Sequence, residues 1–97
     1  MLLLLLAPAA AFAKPVQRDN KRRARQLYQL SETSYRAGRF GEAAQQLKEA
    51  YRLDPNPVLL YNLARAQESN GDLAEAAETY ATFLAGEADP ADRRAAE

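Results

Sequence analysis

The chain has 97 residues, room for one small domain, and its 13 basic and 13 acidic residues leave no overall field to steer it onto nucleic acid. It contains neither Cys nor His, which rules out disulfides, zinc ribbons and thiol nucleophiles and removes the commonest general base and metal ligand. Ser31 and Ser34 therefore have no imidazole to activate them and no carboxylate pair stands out, so the expectation is a protein that is not an enzyme, with no catalytic residue, cofactor or metal.

The chain opens on an apolar run, Leu2 to Leu6 followed by an Ala-rich stretch to Ala13. Ala11-Phe12-Ala13 supplies the small-x-small pattern that signal peptidase reads, so residues 1–13 are expected to be a signal peptide cleaved before Lys14. A spanning helix needs about 20 apolar residues, and this run falls short of that. No Lys or Arg precedes the run, as though residues were missing upstream, and positive charge follows it; an uncleaved N-terminus is the alternative. The expected location is exported, periplasmic or secreted.

Residues 14–23 read as a basic N-terminal arm. Between Lys14 and Arg25 six basic residues stand against one acid, Asp19, which leaves the rest of the chain acidic. No aromatic residue interleaves the cluster, so a stacking platform for single-stranded nucleic acid is missing and nucleic acid is not an expected partner. Positive charge at a helix start opposes the macrodipole, which predicts a frayed, solvated arm. Contact with a membrane surface or an acidic partner is the alternative.

Beyond the arm the chain repeats itself with an offset of 33 residues. Leu27 falls on Leu60, Tyr28 on Tyr61, Leu30 on Leu63, Gly38 on Gly71, and Glu42-Ala43-Ala44 on Glu75-Ala76-Ala77. Phe40 with Leu73, Leu47 with Tyr80 and Tyr51 with Leu84 are conservative matches. Self-similarity at this period signals a solenoid unit. Each unit reads as two helices. Ala24, Leu27, Tyr28 and Ser31 share one face, widened by Leu30 and Ser34, which is helical spacing. Gly38 supplies the break, since Gly takes a left-handed terminus without steric cost. Ala43, Ala44, Leu47, Ala50 and Tyr51 restart the period until Asp54-Pro55-Asn56-Pro57 ends it, with Pro57 placed to start the next helix. The second unit runs from Leu59 to Asn70, turns at Gly71-Asp72, and continues from Leu73 to Leu84. No segment alternates with a period of two, so the chain is all-α.

Small residues at Ser31, Ala43, Ala64 and Ala76 predict close helix approach, with Leu47, Tyr80 and Phe83 filling the spaces between pairs. The stretch from Leu27 to Leu53, with Leu30, Gly38, Phe40, Glu42-Ala43-Ala44, Ala50 and Leu53-Asp54-Pro55, resembles a tetratricopeptide repeat, and Leu60 to Leu84 resembles a second copy. Ser31 and Ala64 stand where the family favours Gly, Leu27 and Leu60 where it favours Trp or Tyr, and the period is one residue short. The resemblance, in particular to exported envelope proteins, implies an α-α superhelix of two repeats over 24–88 (24–56 and 57–88). Asp89-Pro90 lies one period after Asn56-Pro57, so 89–97 is expected to start a capping helix or a truncated third repeat. The absence of a helix stop signal before Glu97 fits the front end of a longer protein.

The resemblance also implies a role: a scaffold that binds another protein as a peptide or helix in a concave groove lined by the first helix of each pair. Carried over position by position, the groove residues are Arg25, Tyr28, Glu32, Tyr35 and Arg36 in the first unit and Val58, Tyr61, Arg65, Glu68 and Ser69 in the second. Tyr28 and Tyr61 would stand one repeat apart as rigid anchors. Plainer roles exist for both: the tyrosines closing over the adjacent helix, and Glu32 with Arg65 forming a solvated ion pair. Of the carboxylate clamp found in chaperone-binding members, Asn62 alone matches, with Tyr28 and Glu32 in the first pair of clamp positions. An apolar end at Tyr80, Phe83 and Leu84 suggests a second copy as a further partner, through homo-oligomer formation, because two repeats bury a thin core.

Overall fold

The structure, a computed structural model, describes residues 9–86, which form four helices in chain order: α1 (Ala9–Arg36), α2 (Phe40–Leu53), α3 (Pro57–Ser69) and α4 (Leu73–Gly86). There is no strand among the described residues. The first eight residues of the expected signal peptide and the expected cap at 89–97 lie outside them. Each helix packs on its neighbour in sequence, α1 on α2, α2 on α3 and α3 on α4. This is the antiparallel stacking that short turns impose on a helical repeat.

The two intra-repeat turns are the same structure written twice. Gly38 and Gly71 have φ of 78° and 85°, the left-handed region where a side chain would be strained. Gly38 N–H donates to Tyr35 O at 3.0 Å and Arg39 N–H to Ser34 O at 2.8 Å; one period later Gly71 donates to Glu68 O at 3.0 Å and Asp72 to Gln67 O at 2.9 Å. These paired bonds satisfy carbonyls that a helix end would leave orphaned, which is the Schellman arrangement. Between the repeats the chain turns differently. Asn56 caps α3 by accepting Val58 N–H on Oδ1 at 3.0 Å, and Pro57 occupies the first helical position.

The main core joins α1, α2 and α3: Ala24, Leu27, Ala43, Ala44, Leu47, Ala50, Leu59, Leu63 and Ala66, with Tyr28, Tyr35, Tyr51 and Leu53 packed against it. Ala43, Ala50, Ala64 and Ala66 are completely buried, which puts small side chains where the helices pack. Ser31 is buried too, its hydroxyl donating back to Tyr28 O at 2.6 Å. Leu30 departs from expectation. It is 48 % exposed and lies off the apolar face it was expected to widen, because the buried stripe of α1 runs through Ala24, Leu27, Ser31 and Ser34. At the far end Phe83 turns inward and is buried, whereas Leu73 and Leu84 are exposed.

A polar pair inside each repeat was not foreseen. Ser34 and Gln67, one period apart, are both buried, and each bonds across to its partner helix twelve residues on. Ser34 Oγ–H donates to Gln46 Oε1 at 2.9 Å in the first repeat; Thr79 Oγ1–H donates to Gln67 Oε1 at 2.7 Å in the second. Hydroxyl and amide have exchanged helices while the bond is kept. A buried polar group left unpaired costs about 1–3 kcal/mol, so the exchange had to be made on both sides together.

The basic segment 14–23 belongs to α1 throughout, a continuous helix in place of the expected frayed arm. Helical rise makes α1 about 42 Å long, twice its neighbours, and among its described side chains, from Val16 onward, the first buried one is Ala24. Residues 16–23 of the helix, none of them buried, precede the core, and of these Lys21 still reaches the turn before α3. No helix among the described residues is long and apolar enough to cross a membrane.

Candidate functional site

Two hollows lie along α1, and Tyr28 lines both. The first, about 210 Å³, is bounded by Tyr28, Ser31, Glu32, Tyr35 and Arg36 of α1, Leu47 of α2, and Asn62 and Arg65 of α3. The second, about 440 Å³, is bounded by Lys21, Ala24, Arg25 and Tyr28 of α1 with Asp54, Asn56, Val58 and Leu59. They adjoin at Tyr28 and, taken end to end as one groove, follow α1 from Lys21 to Arg36, a rise of about 22 Å at 1.5 Å per residue.

The geometry of the first hollow centres on Tyr35. Its ring meets Phe40 edge-on at 5.0 Å between centroids, the Arg65 guanidinium sits over it at 5.6 Å, and its hydroxyl lies 2.8 Å from Ser69 Oγ. The contacts with Arg65 and Ser69 tie α1 to α3 across the repeat boundary, with the planar cation of Arg65 resting on the ring's negative face. Glu32 pairs with Arg36 at 3.7 Å along α1 and not with Arg65, so the solvated pair considered from sequence forms within one helix. Asn62 donates Nδ2–H to Val58 O at 3.1 Å.

Seven of the expected residues thus converge. Tyr28, Glu32, Tyr35, Arg36 and Arg65 line the first hollow, and Arg25 and Val58 join Tyr28 in the second. Tyr61 and Glu68 are drawn elsewhere. The Tyr61 ring packs on Tyr80 at 6.0 Å and Phe83 at 5.7 Å, and Glu68 accepts the Tyr80 hydroxyl proton at 3.1 Å. Burial and this bond to a carboxylate both raise the Tyr80 pKa above the ordinary tyrosine value. The repeat explains the difference between the two tyrosines. One period back, Leu47 and Ala50 stand where Tyr80 and Phe83 stand, so Tyr28 faces smaller side chains and open space.

Lys21, Leu47, Asp54 and Asn56 line the groove without having been anticipated there. Lys21 was legible as basic but not as groove-facing, because its segment was expected to be frayed. Asp54 and Asn56 were read only as turn residues. Among the described residues no group of three His, Cys, Asp or Glu could hold a metal ion. A family model described as tetratricopeptide repeat matches residues 34–96, from the last turn of α1 onward. No curated protein and no solved structure matches the chain.

Proposed function

The chain belongs to the tetratricopeptide repeat family, and we propose that it is a non-catalytic scaffold that holds a peptide or helix of another protein in the groove between α1 and α3. Repeats of this family mediate protein–protein interactions. One observation carries the reading to this face: side chains from two successive repeats, Tyr28, Glu32 and Arg36 with Asn62 and Arg65, border one open hollow. A surface built from both repeats exists only in the folded stack, and aromatic and Arg side chains on rigid helices are the residue types that dominate interfaces. The test is affinity capture from extract of the native cell, comparing wild type with Arg65→Glu and with Gln45→Ala on the exposed side of α2. The reading expects one partner lost with Arg65→Glu and kept with Gln45→Ala; a partner unaffected by Arg65→Glu overturns it.

The same proposal places the protein in the cell envelope or outside the cell, supported by the apolar run to Ala13 and the Ala11-Phe12-Ala13 pattern. N-terminal sequencing of the exported protein should begin at Lys14; a membrane-held chain still starting at Met1 would sink it. A second reading is favoured by the exposure of Leu73 and Leu84, 65 % and 48 %, on α4. Two copies pairing through that end would bury both. Sedimentation at several concentrations decides, a monomer throughout excluding it.

A further inference from the structure

We propose that the occupant of the groove is an acidic, extended peptide segment of about seven residues; this rests on the groove reading above and specifies its chemistry. The charge on the lining is uneven. Lys21, Arg25, Arg36 and Arg65 face the two hollows, against Glu32 and Asp54. Glu32 is taken up by Arg36, and among the described residues Lys21, Arg25 and Arg65 make no ion pair. Three cations therefore border a concave surface with one remaining acid, Asp54, between them.

The asymmetry continues past the repeat. At about 100° per residue, Arg18, Lys21, Arg22 and Arg25 fall within about 100° of one another on the N-terminal part of α1. All four are exposed, and among the described residues Arg22 alone of them is paired, with Asp19 at 2.8 Å. A stripe that leads into the groove at Lys21 and Arg25 extends its positive field outward, which speeds encounter with an anionic partner. The last described helix carries the reverse sign: α4 has Glu75 and Glu78 and no basic residue.

The length follows from geometry. Extended chain rises about 3.3 Å per residue, so a groove of about 22 Å takes about seven residues. Successive side chains of such a peptide point to opposite sides, so one set of alternate positions can face Arg25 and Tyr28 on α1 and the other Val58 and Arg65 on α3, each wall offering one cation and one apolar contact. A helix laid in the groove would cover about fifteen residues instead and would repeat its contacts every three to four positions.

The experiment is selection of a displayed random octapeptide library on the full chain, followed by fluorescence anisotropy of the winning sequences at low and high salt. Lys21→Gln and Arg25→Gln remove charge from side chains that hold no internal ion pair, and circular dichroism checks that helicity is unchanged. Selected peptides enriched in Asp and Glu, weakened about fivefold by each charge variant and further weakened by salt, support the proposal. Peptides selected without acidic enrichment but lost with Tyr28→Ala would keep the groove and overturn its acidic preference. No selectable peptide would overturn both. Phosphatidylglycerol vesicles serve as the second probe: binding to them that Arg18→Gln/Arg22→Gln abolishes, with no peptide selected, would assign the stripe to a membrane surface and overturn the proposal.

Discussion

Replacing Gly38 and Gly41, three residues apart, should move stability in opposite directions. Gly38 sits at φ 78° in the turn between α1 and α2, and a Cβ there would meet nothing within 4 Å. Any loss on Gly38→Ala is therefore conformational, not steric: a left-handed L-residue costs about 1–2 kcal/mol. The stiffer unfolded chain returns about 0.4–1 kcal/mol of that, leaving a net loss near 1 kcal/mol. Gly41 is the second residue of α2, and a Cβ there would lie 3.6 Å from the Asn70 side chain, ordinary contact. Gly41→Ala should gain about 0.5–1 kcal/mol from helix propensity. With a urea dependence of about 1 kcal/mol per molar for so small a domain, the two midpoints should separate by about 1.5–2 M. Gly38→Val should lose more than Gly38→Ala, and Gly41→Val should change little. Equal shifts for the two alanine variants would mean that the turn is not where these hydrogen bonds put it.

Three further outcomes follow from particular contacts. Asn56→Ala removes the cap of α3 and should cost about 1 kcal/mol, whereas Asn56→Asp should cost far less, measured by thermal melting. Thr79→Val should destabilise by about 1–3 kcal/mol by leaving the Gln67 amide buried without its partner, and Thr79→Val/Gln67→Leu should recover much of that loss in a double-mutant cycle. Because Tyr80 is held protonated in the folded state, its contribution to stability is present below the ordinary tyrosine pKa of about 10 and is lost as pH rises through its raised folded value. Urea midpoints of wild type should therefore fall across that alkaline range more steeply than those of Tyr80→Phe.

What the sequence made legible was whatever the repeat and its small residues dictate locally. The left-handed glycines, the Pro57 start and the buried alanines are each fixed by backbone sterics or close approach, and a single position reveals them. Less legible were features that depend on two positions at once. The Ser34–Gln46 and Thr79–Gln67 bonds look like unrelated polar substitutions until both ends are aligned one period apart. The groove divides the same way. Tyr28 and Tyr61 align, yet their surroundings differ because Leu47 and Ala50 are replaced by Tyr80 and Phe83 on the opposing helix. Lys21 was missed because the macrodipole penalty, a few tenths to about 1 kcal/mol, was set against helix formation without the propensity of a segment rich in Arg, Lys and Gln.

The central claim is that the α1/α3 face is the working surface of the molecule. Site-specific photo-crosslinking in the native cell tests it most directly, with the photoreactive residue placed at Glu32 in the groove or at Gln45 on the exposed side of α2. The account predicts one discrete protein adduct from position 32 and none from position 45. An adduct from position 45 alone would contradict it.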